Sequence, residues 1–159
     1  MLVNENIIDE IYSKAVKGLH EELLKNCNDW YNYALNLPIN QQVVYTIAVL
    51  NWQVENGGFH QYFFNSYGQF AYLTIKNLKL IGADKRAELL DIATQLVNEE
   101  YLIEDTFRHL IFNREMQKIV DFDEILFNKL NELDDQYYDM GEENVYDLLE
   151  DFLNQQSKN

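Results

Sequence analysis

Apolar side chains return every three or four residues along nearly the whole of this chain, and only Pro38 and six glycines interrupt the rhythm. That period belongs to helices that each bury one stripe. With 159 residues, 47% of them hydrophobic and 14% aromatic, the chain has the mass for one domain with a real core, burying roughly two thirds of its unfolded surface. The reading is an all-α fold: a single compact domain over residues 1–159, an irregular bundle of about six to seven helices.

The first helix is predicted from about Glu5 to Lys25, carried by Ile7, Ile8, Ile11, Tyr12, Ala15, Leu19, Leu23 and Leu24. Gly18 falls inside it at a cost of about 1 kcal/mol relative to alanine, which points to a close helix contact there. Trp30 to Pro38 reads as aromatic and irregular, and Asn40 as the cap of a second helix from about Gln41 to Glu55. That helix is expected to be the most buried, with Val44, Ile47, Ala48 and Trp52 on one side. Asn56-Gly57-Gly58 ends it, because glycine adopts the left-handed geometry of a helix stop. A short aromatic helix follows to Gly68, then helices from about Gln69 to Leu80 and from Asp84 to Phe112 with a bend near Glu99-Glu100, then Phe122 to Tyr137 and Glu142 to Gln155.

Charge is the second constraint. The formal net charge is -15, and from Glu115 onward thirteen Asp and Glu face only Lys118, Lys129 and Lys158. Averaged over roughly 8,000 Å² of surface this is about one excess charge per 500 to 600 Å². Duplex DNA, at one phosphate per about 1.7 Å of axis, is several times denser. Only clustering brings the two together. Helical spacing puts Glu143, Asp147, Glu150, Asp151 and Asn154 on one face of the last helix, opposite Val145, Leu148, Leu149 and Phe152. If the last two helices pair antiparallel, the turn adds Asp134, Asp135, Asp139, Glu142 and Glu143. These acids either form a binding face or simply solvate amphipathic helices.

The third feature is the run from Trp52 to Gly68. Glu55, Asn56, Gly57, Gly58, Phe59, Gln61, Tyr62, Phe63, Asn65 and Gly68 together resemble the signature of the DNA-mimic protein family, helical bacterial domains. Leu35, Gln42, Tyr45 and the Gly82-Ala83 break extend the similarity to about residues 5–155. The resemblance implies an all-helical domain and, for the family's best-known representative, sequestration of a transcriptional regulator by an acidic, DNA-like surface. It fixes no acidic contact set residue by residue.

Read physically, Glu55 and the Asn65 amide are placed to satisfy backbone groups at the glycine turn, with Phe59, Tyr62 and Phe63 clamping the short helix to the core. The alternative is a polar pocket of Glu55, Asn56, His60, Gln61 and Asn65, walled by Tyr62 or Tyr67, for a small ligand or a protein partner. Catalysis is disfavoured because a five-residue offset across a glycine turn defines no acid–base pair. His20-Glu21-Glu22 lacks the second histidine of a zinc helix, since position 24 is leucine. The lone Cys27, His20, His60 and His109 carry no metal or nucleophile pattern, and Asp134 to Glu143 does not reproduce a calcium loop. No metal and no cofactor are expected.

Arg86, Arg108 and Arg114 form no basic patch, so direct nucleic-acid binding is disfavoured while a basic, DNA-binding protein is the favoured partner. No apolar run approaches 18 residues and the N-terminus is no leader, so the expectation is a soluble cytoplasmic protein without membrane contact. Monomer and homodimer both stay open. The leading expectation is a non-enzymatic acidic binding protein that mimics DNA, with Asp134, Asp135, Asp139, Glu142, Glu143, Asp147, Glu150 and Asp151 as its protein-binding face.

Overall fold

The computed structural model describes the backbone of residues 2–159 and the side chains from Ile7 onward. It is all-helical, with no strand among the described residues. In order come α1 (Leu2–Val16), α2 (Glu21–Leu24), α3 (Cys27–Leu35), α4 (Ile39–Phe64), a 3-10 turn (Tyr67–Phe70), α5 (Ala71–Leu80), α6 (Asp84–Val97), α7 (Glu104–Phe112), α8 (Gln117–Val120), α9 (Glu124–Tyr138) and α10 (Val145–Ser157). There are more pieces than the six to seven expected, because side chains cut helices that periodicity alone would join and two one-turn helices fill corners.

The first cut is at Gly18, which lies beyond the end of α1 instead of within it. Tyr33 causes the stop: its hydroxyl donates to the Ala15 carbonyl at 2.5 Å and accepts from the Gly18 N–H at 3.1 Å. A Cβ on Gly18 would meet the Tyr33 ring at 2.8 Å, so the predicted close contact exists, made by a ring and not by a packed helix. His20 then caps α2, its Nδ1 accepting from the Leu23 N–H.

Residues 30–35, expected to be irregular, are helical. Asn26 caps α3 by accepting from the Asp29 N–H at 3.0 Å, and Cys27, Trp30 and Ala34 form its buried stripe. The half-buried Tyr31 and Tyr33 hid that spacing in the sequence. A second break misjudged as a bend falls between α6 and α7. There Asn98 is buried, and its amide both accepts from the Leu102 N–H and donates to the Leu102 carbonyl, each at 2.9 Å. One side chain thus takes up two backbone groups that a continuous helix would have used.

α4 is the axis of the molecule. It starts one residue after Pro38, so Asn40 lies in its first turn and is not its cap. Residues 42–51 are buried on every face, where Gln42 donates to the Leu35 carbonyl at 3.0 Å and Thr46 to the Gln42 carbonyl at 2.9 Å. A helix apolar all round must be wrapped. α1, α5, α9 and α3 pack around it, leaving Trp52 at 46% exposure instead of in the core. Its Val43, Ile47, Leu50 and Val54 meet Leu78, Leu90, Leu130 and Leu149 in the main core, each such side chain contributing about 1.5–3 kcal/mol. A smaller cluster, Trp30, Ala34, Tyr45, Val49 and Phe70, closes the end near α3.

The last two helices are capped by Asp123, accepting from Leu126 N–H at 2.9 Å, and by Asn144, accepting from the N–H groups of Tyr146 and Asp147. They are not an antiparallel pair. α9 packs chiefly on α4 and α6, and α10 on α1 and α4. No helix of the described residues is long and apolar enough to cross a membrane.

Candidate functional site

The glycine turn divides α4 into two limbs. Gly57 has φ -157° and ψ 18°, and Gly58 has φ 78° and ψ -178°, a conformation open essentially to glycine alone. The group that satisfies the turn comes from far along the chain. Asp134 on α9 is only 7% exposed, and its Oδ1 accepts from the Phe59 N–H at 2.7 Å. Its other oxygen lies where a Cβ of residue 58 would stand, at 2.1 Å. Burial pushes its carboxyl above the ordinary range, against the opposing pull of the Phe59 bond. Asp134 therefore leaves the expected protein-binding face: it is an internal cap of the second limb of α4.

Around this junction α9 is bolted to α4. Tyr137 donates to the Asn51 side chain, Tyr138 to the Val54 carbonyl at 2.6 Å, and the Phe59 and Tyr137 rings meet edge to face at 5.6 Å. Glu55 is exposed and does not serve the turn. The Asn65 amide also misses the backbone, donating instead to the Gln53 side-chain Oε1 at 2.9 Å. Gln61 donates to the same Gln53 oxygen at 3.0 Å and accepts from Asn56 at 3.2 Å. The signature amides are thus spent on one another through Gln53, which lies in the same run but outside the residues that carry the resemblance.

The alternative pocket does not assemble from its proposed lining. His60 turns away from the amide chain into the molecule, its Nε2 at 2.9 Å from the Ile119 carbonyl and its ring covered by Phe122 at 4.3 Å. Tyr62 is fully buried, 3.5 Å from the Thr74 hydroxyl. Phe59 and Phe63 do clamp the second limb to the core. Cys27 is buried and burial pushes its thiol up, away from nucleophilic use.

Burial holds the His60 imidazole below its ordinary value of 6.5, so the native protein keeps it neutral. A depressed pKa means stability that is present above about pH 6.5 and is lost as pH falls toward the folded value, since only the unfolded chain takes up the proton in that window. Urea midpoints at pH 7.5 and 5.5 are expected to differ, and His60→Gln to remove most of that difference. An unchanged pH slope in the variant would show that other groups drive it.

The remaining predicted acids divide by environment. Glu143 points inward from the α9–α10 turn: its carboxylate accepts from the N–H groups of Lys85 and Arg86 at 3.0 and 3.2 Å and from the Arg86 guanidinium at 3.0 Å. Both side chains of that ion pair are about 10% exposed, and Arg86 also lies over the Tyr137 ring at 5.1 Å. Glu143 is thus the cap of α6 and leaves the solvent face. Glu142 is exposed, with Lys85 at 3.6 Å. Asp135 on α9, Asp139 just beyond its end, and Asp147 and Asp151 on α10 are exposed, with Glu150 partly so. Among the described residues none of these five is ion-paired.

Glu132 joins the α9 row. Glu132 and Asp135 stand three residues apart on α9, about 4.5 Å along the axis against about 3.4 Å per phosphate on one DNA strand, and Asp139 follows in the turn beyond the helix. That pair and the row of Asp147, Glu150 and Asp151 lie on separate helices, with Asp121, Glu124 and Glu142 also exposed in the acidic third.

No curated protein and no solved structure matches the chain. A family model described as DMP19-like protein matches residues 35–156, which takes in the glycine turn, its Asp134 cap and both acidic helices and begins later than residue 5. From that match over most of its length, the chain belongs to the DMP19-like family.

Proposed function

We propose that this protein is a non-enzymatic cytoplasmic decoy that mimics DNA and occupies the nucleic-acid surface of a basic regulator. The observation that carries the reading is the division among the acids: five carboxylates, on Asp135, Asp139, Asp147, Glu150 and Asp151, stay without an ion pair on α9, its C-terminal end and α10 in a chain of the DMP19-like family. Asp134 and Glu143, in contrast, serve the fold as a helix cap and a buried ion-pair partner. The others contribute attraction to a cation-rich surface, speeding encounter and filling positions where phosphates would sit.

The test is capture of a DNA-binding protein from the native cytoplasm by the full chain, repeated with Asp147→Asn, Glu150→Gln and Asp151→Asn combined. The expected result is at least a roughly tenfold loss of affinity with an unchanged melting temperature, and a wild-type affinity that falls steeply with salt because exposed charges are screened beyond about 10 Å at 0.1 M. A partner held equally by the variant and displaced by no DNA duplex would overturn the reading.

A further inference from the structure

Asn56 and Gly57 form the only Asn-Gly pair in the chain, and the fold leaves both at the surface. Such a pair sets an electrophile beside a nucleophile: the carboxamide carbon Cγ and the next backbone nitrogen, which no glycine side chain screens. A continuous helix holds the two apart, because hydrogen bonds on both sides lock the peptide plane between them. Here the lock is one-sided. Asn56 is the last helical residue of the first limb of α4, and Gly57 stands at φ -157° and ψ 18°. Glycine accepts nearly the whole range of φ, so the 56–57 peptide plane can swing by opposite changes of ψ at Asn56 and φ at Gly57 while both limbs stay in place.

The asparagines followed by aspartate or serine lack that freedom. The Asp29 N–H behind Asn28 is held by Asn26 at 3.0 Å, and Ser66 behind Asn65 is fixed at φ 68° with its hydroxyl on the Phe112 carbonyl at 3.1 Å. The Asn56 side chain donates from Nδ2 to Gln61 Oε1 at 3.2 Å, a bond that engages the nitrogen that would depart and not the carbon that would be attacked.

We propose that Asn56 is a site of spontaneous deamidation in the folded protein. The Gly57 nitrogen gives its proton to hydroxide and attacks Cγ; the Cγ–Nδ2 bond breaks, and the amide nitrogen takes a proton from water and leaves as ammonia. Water then opens the five-membered imide. Attack at the Cγ carbonyl gives aspartate, and attack at the main-chain carbonyl gives isoaspartate, whose backbone is one carbon longer. The sum is one water consumed and one ammonia released. The new carboxylate stands next to Glu55 in sequence and meets an acceptor, Gln61 Oε1, where Asn56 donated, so the amide chain through Gln53 loses its outer link. Deamidation therefore adds a negative charge at the glycine turn and loosens the side chains around it.

The test is incubation of the folded full chain in mildly alkaline buffer, followed by peptide mapping with mass spectrometry over time. Asn56 is expected to convert to a mixture of aspartate and isoaspartate while Asn28 and Asn65 stay intact, at a rate that rises in proportion to hydroxide. Gly57→Ala is expected to slow the conversion at least about tenfold, a barrier higher by about 1.4 kcal/mol, because a Cβ screens the nitrogen and narrows φ. Asn56→Gln keeps an amide but lengthens the ring to be closed, and is expected to abolish the mass change in that peptide with melting unchanged. Conversion only after the chain is unfolded in urea would overturn the proposal, as would equal rates at Asn28, Asn56 and Asn65 or an undiminished rate in Gly57→Ala.

Discussion

Gly58→Ala is expected to cost about 4 kcal/mol, enough to leave a domain of ordinary stability, about 5–15 kcal/mol, close to unfolded. At φ 78° and ψ -178° a Cβ brings strain of about 1–3 kcal/mol before any neighbour is considered. The neighbour makes it worse, since the new carbon would stand 2.1 Å from an Asp134 oxygen and 2.8 Å from its Cγ. Asp134 can yield only by letting go of the Phe59 N–H, and a buried donor left unpaired costs about 1–3 kcal/mol more. Urea unfolding measures the loss. Gly141, which meets nothing within 4 Å, is the control, and its alanine variant is expected to stay within about 0.5 kcal/mol of the wild type. Adding Asp134→Ala to Gly58→Ala is expected to cost less than the two changes summed, because the clash they share disappears. Strict additivity would mean that the carboxylate is not what excludes the side chain.

The same junction shows what the sequence could and could not disclose. Two consecutive glycines after an asparagine announce a break, and the break is where they stand. The group that makes the break stable lies 75 residues away, and no local pattern connects Asp134 to Phe59. Helical spacing also assigned Glu143 to the face of Asp147 and Glu150, but residues 139–144 are not helical, so face arithmetic had no meaning there. The carboxylate was free to turn inward to Arg86. Where the chain is regular, as in α10, Val145, Leu149 and Phe152 of the expected stripe are buried and Leu148 is partly so. The cut between α6 and α7 was missed because a buried asparagine that mimics backbone looks like any polar residue until its partners are known.

Glu143→Ala and Asp147→Asn remove the same charge from positions four residues apart, and their consequences are expected to be opposite. Glu143 and Arg86 are about 90% buried, so truncating the acid leaves a guanidinium among Tyr137 and the α9–α10 turn with one carbonyl, that of Glu143, still accepting from it. Breaking a buried pair from one side costs about 3–5 kcal/mol, and α6 loses its cap at Lys85 and Arg86 as well. Glu143→Gln keeps an acceptor for those donors and is expected to lose less. Asp147 sits in the first turn of α10, where the helix dipole favours its charge by only about 0.3–1 kcal/mol, so Asp147→Asn is expected to move the urea midpoint little. Binding should reverse the order: Glu143→Gln should keep its partner at the wild-type affinity while the combined change of Asp147, Glu150 and Asp151 loses it. If instead the buried and exposed acids weaken capture alike in variants that remain folded, net charge and not the placement of carboxylates would govern recognition. The rows on α9 and α10 would then carry no more meaning than any other acid on the surface.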